Sequence, residues 1–156
     1  VTLKATTSEL TRADERRTVG RTAAWLAKQV ELGLVPVDLS LPQYRILGML
    51  DESSAVSSVL AERLAVRPPT VTAVVDGLVQ RGLVERRTVD GDRRRVSHVL
   101  TGDGRRVLDE ADASVNARLC EIAGLLGSEA DVDAALDGLT LWRRALVASG
   151  LARRAR

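Results

Sequence analysis

Over most of the 156 residues the apolar positions recur at steps of three and four, the period of a helix face, and only between residues 83 and 100 do they follow a strand-like pattern. The first helix is predicted over 8–33. It is polar and weakly amphipathic, with Leu10, Ala23, Leu26, Ala27 and Val30 as its better apolar positions, and Gly33 and Pro36 end it. Ser40 with Gln43 three residues on spells a capping box for a second helix carrying Tyr44, Leu47 and Leu50, with Pro42 in its first turn. A third helix is expected over 57–64, with Ser57 as N-cap and Leu60, Ala61 and Leu64 on one face. Pro68 and Pro69, whose missing N–H groups cost little in a first turn, open a fourth. It runs to Gln80 and places Val71, Val74, Val75, Leu78 and Val79 at i, i+3, i+4, i+7 and i+8. Thr101 can cap a long helix in which Leu108, Ala111, Val115, Leu119, Ile122 and Leu126 recur. Gly127-Ser128 breaks it, and a last helix carries Val132, Ala135, Leu136, Leu139, Trp142 and Leu146.

The strand-like stretch reads as a hairpin. Leu83 to Val89 is rich in β-branched residues, Asp90-Gly91 tolerates the positive φ of a tight turn, and Arg95 to Leu100 alternates Val96, His98 and Leu100 against Arg95, Ser97 and Val99. Arg93, Arg94 and Arg95 at its tip repel one another unless an anion comes between them, and a polyphosphate is the natural counterpart. Immediately upstream, the third and fourth helices joined by Ala65-Val66-Arg67 match a helix-turn-helix. In such a unit the second helix lies in the major groove of DNA. Its residues off the apolar stripe are Arg67, Pro69, Thr70, Thr72, Ala73 and Asp76. Thr70 and Thr72 can bond a phosphate or a base edge, or else satisfy backbone groups in the first turn, while Pro69, Ala73 and the threonine methyls suit the methyl of thymine. Only Arg67 offers a bidentate grip on guanine. Few strong base contacts are therefore expected, with more of the specificity coming from DNA shape and a wing arginine in a narrow A·T-rich minor groove.

The ordered run Leu60-Ala61-Glu62-Arg63-Leu64-Ala65-Val66, Thr70-Val71-Thr72, Val75-Asp76-Gly77-Leu78, Arg81-Gly82-Leu83-Val84, Arg86, Asp92-Arg93-Arg94 and Leu100-Thr101-Gly102-Asp103-Gly104 resembles the MarR family of bacterial transcription regulators. The likeness spans roughly residues 40–105. It implies a homodimer that binds a pseudo-palindromic operator, usually as a repressor, and is often released by a small aromatic or phenolic ligand or by thiol oxidation. Carried over by position, Pro69, Thr70 and Thr72 resemble recognition-helix contacts, Arg94 the arginine of the minor groove and Asp92 the carboxylate that braces it. Arg86, Arg93 and Arg95 complete the candidate DNA-binding set. The family's ligands usually lie between the dimerisation helices and the winged helix, where Trp25, Tyr44 and Met49 are the candidate lining; Trp25 and Tyr44 suit still better the plain structural role of anchoring the first helix to the body.

The expected architecture is mostly α with a small β-wing. One domain covers 1–156, with a winged helix-turn-helix over 36–101 and helical dimerisation parts over 1–35 and 102–156. The long apolar stripes at both chain ends call for a partner surface, which favours a dimer over a monomeric bundle. Apolar content of 45% argues against disorder. The net charge is only +2, yet residues 67–106 alone carry nine arginines against five acids, so DNA affinity is local to the wing and its helix. Chemistry of other kinds finds few ingredients. His98 is the single histidine and reads as structural or phosphate-facing; no His or Cys cluster has metal-ligand spacing, no Gly-rich loop follows a strand, and neither an enzyme nor a cofactor is expected. Cys120 is the single cysteine, placed by the helix pattern as a buried, inert thiol, with redox sensing as the alternative. No segment has the length of apolar residues needed to cross a bilayer, and a cytoplasmic protein is expected. The competing functional reading is a winged-helix module that docks a protein partner without specific DNA binding.

Overall fold

Helix α1 (Thr7–Leu34) leads through a 3-10 turn (Val35–Val37) into α2 (Leu41–Glu52), followed by the short strand β1 (Ala55–Val56), α3 (Ser57–Leu64) and α4 (Pro68–Gln80). Strands β2 (Val84–Val89) and β3 (Asp92–Leu100) form the wing, and α5 (Gly102–Ala123), a second 3-10 turn (Gly124–Leu126) and α6 (Glu129–Arg154) complete the chain. The computed structural model describes residues 7–89 and 92–154, and the side chains of 17–88 and 96–149. The expected Asp90-Gly91 turn lies outside the described residues, as does the side chain of Leu10. The mostly helical, winged helix-turn-helix architecture is the one the sequence predicts.

The core sits where α2, α3, α4, the wing root and α5 converge. Leu34, Ile46, Leu47, Leu60, Val71, Val75, Leu78 and Val84 are its largest fully buried side chains. Each such side chain contributes about 1.5–3 kcal/mol of burial, so this cluster dominates the stability of the body. The capping box of α2 forms as predicted: the Gln43 N–H donates to Ser40 Oγ at 3.4 Å and the Ser40 N–H to Gln43 Oε1 at 2.9 Å.

Several expectations are corrected. Helix α1 ends at Leu34, one residue past the expected bound, and Gly33 also marks a helix crossing. A β-carbon there would fall 2.9 Å from Val115 Cα of α5, and the Ser114 hydroxyl donates to the Gly33 carbonyl at 2.7 Å. Pro36 lies within the following 3-10 turn. Helix α5 ends at Ala123, earlier than the Gly127-Ser128 break, and Leu126 belongs to the 3-10 turn. The N-cap of α3 is Val56, not Ser57, whose hydroxyl is drawn away to His98. Cys120 is exposed, not buried. The buried stripe of α5 runs through Leu108, Ala111 and Val115, with Leu119 half-buried, and a residue one step past Leu119 is rotated about 100° away from that stripe. The third strand, β1, was not anticipated at all; it makes the sheet order β1-β3-β2, antiparallel throughout.

The wing root is fixed to α5 by backbone contact. Thr101 caps the helix, its Oγ1 accepting from the Gly104 N–H at 2.9 Å while its hydroxyl donates to the Gly82 carbonyl at 2.7 Å and its N–H to the Leu83 carbonyl at 3.1 Å. That approach requires glycine at 104, since a β-carbon there would stand 2.0 Å from Leu83 O. Gly104→Ala is expected to destabilise the protein by about 3 kcal/mol, as forced overpacking against backbone does. Urea unfolding checks it: the midpoint should fall at constant slope, and an unchanged midpoint would show that the helix can retreat freely from the wing root.

Candidate nucleic-acid interface

Helix α4 buries Val71, Val75 and Leu78 and half-buries Val74 and Val79, which turns Arg67, Pro69, Thr70, Thr72 and Ala73 outward. Arg67 is the N-cap residue, extended in backbone and without a side-chain cap bond, so its guanidinium is left available at the helix entrance. The Thr72 hydroxyl donates to the Pro68 carbonyl at 3.1 Å. That bond uses its proton and leaves its oxygen lone pairs and its methyl outward, so the backbone role and an acceptor role coexist. The turn before α4 is tight because Ala65 takes the left-handed conformation at φ 55°, its N–H bonding the Ala61 and Glu62 carbonyls, while the Val66 N–H reaches the Ala61 carbonyl.

The wing continues this exposed front. Strand β3 begins at Asp92, three residues before the predicted start, and the register jumps between Thr88↔Val96 and Val89↔Asp92. Arg93, Arg94 and Arg95 thus have no cross-strand partner and form a bulge on β3 instead of a simple tip. The side chains of Asp92, Arg93, Arg94 and Arg95 lie outside the described residues. Arg86 is described: its guanidinium meets the carboxylate of Asp76 on α4. At the far end of α4, Arg81 Nη1 donates to the Asp38 carbonyl at 2.7 Å, tying the helix to the residue that closes the 3-10 turn after α1.

His98 is the buried polar residue of the wing, 4% exposed, with Nε2 2.8 Å from Ser57 Oγ. Its Nδ1 is buried without a partner. The tautomer that avoids an orphan donor carries the proton on Nε2, donating to Ser57, and leaves Nδ1 as a bare acceptor. This is a structural histidine joining β3 to the start of α3. Neither pair was anticipated: Ser57–His98 depends on β1, which sets Ala55 opposite His98 but is two residues long and carries no periodic signal, and Arg86–Asp76 depends on the register of the wing.

A sequence profile described as MarR family matches residues 37–95. The HTH-type transcriptional repressor Rv2887 of Mycobacterium tuberculosis is 34% identical over 98 residues, which cover 62% of this chain and 70% of that one. The chain belongs to the MarR family. The HTH-type transcriptional regulator FarR of Neisseria gonorrhoeae, a further relative, is 32% identical over 88 residues, 56% of this chain and 60% of its own. Among solved structures, a MarR-family transcriptional regulator from Rhodococcus sp. RHA1 superposes with a TM-score of 0.66 at 28% identity, covering 82% of this chain and 91% of that one. CouR from Rhodococcus jostii RHA1 bound to p-coumaroyl-CoA gives 0.61 at 28%, covering 78% and 85%. This MarR-family chain is a transcription regulator, not an enzyme.

The three candidate ligand residues are not brought together. Tyr44 lines a cleft of about 350 Å³ with Arg45, Gly48, Asp51, Glu52, Leu108, Asp112 and Arg143. Met49 packs against the core and Trp25 is 70% exposed on α1; neither lines that cleft. The Tyr44 hydroxyl donates to Asp112, and burial together with that carboxylate holds its pKa well above the ordinary tyrosine value. Among the described residues no group of three His, Cys, Asp or Glu could hold a metal ion, and no helix is long and apolar enough to cross a membrane.

Burial, and next the positive charge of Arg86, push the His98 pKa below its ordinary value of about 6.5, against a smaller opposing pull from Asp76. The unfolded chain therefore takes up the proton more readily than the folded one. Stability is fully present above about pH 6.5 and is lost as pH falls below it toward the depressed folded value. Urea midpoints should be flat from pH 8 to 7 and decline as pH falls below about 6.5. In His98→Gln, which retains a donor for Ser57, that decline should be absent; an equal decline would place the titrating group elsewhere.

Proposed function

We propose that this protein is a homodimeric, cytoplasmic repressor that binds a pseudo-palindromic operator through α4 and the arginine-bearing wing and leaves it when a small aromatic or phenolic ligand binds. The observation that carries the reading is the joint exposure of Arg67, Pro69, Thr70, Thr72 and Ala73 on α4, beside a β3 bulge of three consecutive arginines. A helix front of small and hydroxyl-bearing residues suits major-groove edges and thymine methyls. By the family resemblance, Arg94 is the residue assigned to the adjacent minor groove and Asp92 its brace, with Arg93 and Arg95 beside them in the sequence. A protein-docking face would present aromatic or aliphatic anchors instead, and this front has none.

Dimerisation rests on the chain ends. Helix α6 leaves Leu141, Trp142, Leu146 and Val147 half-exposed or more, and α1 leaves Val19, Trp25 and Leu32 exposed. A two-fold axis through these helices sets two α4 helices about one DNA turn, roughly 34–36 Å, apart. The ligand lies in the Tyr44 cleft between α2, α5 and α6, whose size falls in the range of small-molecule sites. Of the carboxylates in the lining, Asp51 and Glu52 are paired with Arg105 and Arg63 and Asp112 accepts from Tyr44, so Arg45 and Arg143, without an ion-pair partner among the described residues, are left for an anionic group on an aromatic ring, with Tyr44 as its stacking neighbour. The relative CouR was crystallised with p-coumaroyl-CoA, an ester of a phenolic acid, which supports this class.

Selection of genomic fragments by the purified protein at about 0.15 M salt, where non-specific phosphate binding is weak, should enrich an inverted repeat with half-sites about one turn apart. Arg94→Ala should weaken binding to that repeat by about 1–3 kcal/mol. Equal affinity would remove Arg94 from the interface, and no enrichment at all would favour the docking module. A panel of phenolic acids should release the repeat from the parent and not from Tyr44→Ala, measured by fluorescence anisotropy. Release from both alike would place the ligand elsewhere.

A further inference from the structure

Residues paired across an antiparallel ladder share a face, so the register Val84↔Leu100, Arg86↔His98 and Thr88↔Val96 puts Arg86 on the same side of the sheet as His98 and Val84. Val84 and His98 are buried against the helices, which makes this the inner face of the wing. Arg86 stands at its rim and meets Asp76, which lies on α4 one helical turn after Thr72. On the outer face the neighbouring Arg87 is paired with Glu85 of its own strand and spans nothing. Arg86–Asp76 is thus an ion pair that links the middle of a wing strand to the middle of the recognition helix. A guanidinium already facing an ionised carboxylate has little net charge to offer a phosphate.

We propose that Arg86 is a positioning residue and not a DNA contact: its pair with Asp76 sets the angle between the wing and the recognition helix, so that both meet their grooves at once. The proposal rests on the DNA-binding reading above and refines it, since Arg86 then leaves the set of contact residues. The Leu83 N–H joins the wing root to the last turn of α4 through the Leu78 carbonyl, at 3.0 Å, and the two side-chain tethers act elsewhere on the wing. Thr101 and Gly104 hold its root, and Ser57–His98 holds β3 to α3. Neither touches α4. Both partners of the Arg86–Asp76 pair are about half exposed, with side chains 48% and 45% accessible, so it is a weak source of stability and its effect is directional.

The test measures binding of the selected operator over a series of salt concentrations for the parent, Arg86→Ala, Asp76→Ala and the double variant. Each single change should weaken binding about three- to fivefold, the range of an exposed ion pair, and the double variant should be no weaker than either. The slope of log K against log salt should stay at the parent value throughout. A slope reduced by about 0.9 in Arg86→Ala marks a lost phosphate contact and overturns the proposal. So does an Asp76→Ala variant that binds as tightly as the parent or tighter. If the parent selects no operator, the DNA-binding reading itself fails, and the wing linkage is then decided on the free protein. Amide exchange over residues 84–89 should be faster in Asp76→Ala, and unchanged exchange overturns it.

Discussion

The junction between the wing root and the first turn of α5 is the contact on which the rest of the architecture depends. Thr101 satisfies its own helix through Gly104 and, with its N–H and hydroxyl, takes up the Leu83 and Gly82 carbonyls. Because no side chain separates the two backbones at Gly104, the hairpin and the helix move as one piece. A second close crossing, Gly33 against Val115, joins the same helix to α1. Helix α5 therefore connects the arginine-bearing wing to the helices that carry the exposed apolar surface, through two contacts made where glycine removes the spacing of a β-carbon.

Polar pairs around this frame orient and do not hold. Arg63–Glu52 ties α3 to α2, Arg105–Asp51 ties α5 to α2, and Arg81–Asp38 ties α4 to the end of α1, all at substantially exposed sites. Exposed pairs contribute up to about 1 kcal/mol each. The apolar cluster around Leu47, Leu60, Leu78 and Val84 supplies the stability, and a close-packed interior of that kind has low tolerance for displacement. The ion pairs then select among the few orientations that the core permits for α3, α4 and the wing.

How much of this was legible in the sequence depended on whether a feature had a local signature. The capping box at Ser40 and Gln43, the proline start of α4, the valine stripe that follows and the Thr101 cap each follow from residues within one turn of one another, and each appears as read. Gly33 was legible as a helix end, and α1 stops one residue later, but its second role at a crossing was not, since that depends on Val115, 82 residues further on. Ser57 looked like a cap because its true partner, His98, is remote. The outward front of α4 was readable from its valine stripe; the ion pair of Arg86 was not, since it depends on strand register. Tyr44, Trp25 and Met49 were grouped by aromatic or sulfur character alone, and the fold separates them.

The geometry also constrains how a ligand could reach DNA in the proposed mechanism. With 22 residues, α5 is about 33 Å long at 1.5 Å per residue, close to one turn of DNA. Its middle, at Leu108 and Asp112, lines the Tyr44 cleft, and its first turn carries the wing root. In that proposal a ligand entering between α2, α5 and α6 contacts α5, and a tilt of α5 would carry the wing root with it through the Thr101 and Gly104 contacts. The recognition helices of a dimer need only a small change in separation to lose simultaneous contact with two half-sites, since the DNA turn fixes the spacing they must match. Release then requires no unfolding and no local rearrangement at the DNA surface. A stiff connecting helix, closely joined at the wing root and across α1, is the condition under which a small displacement at the cleft suffices.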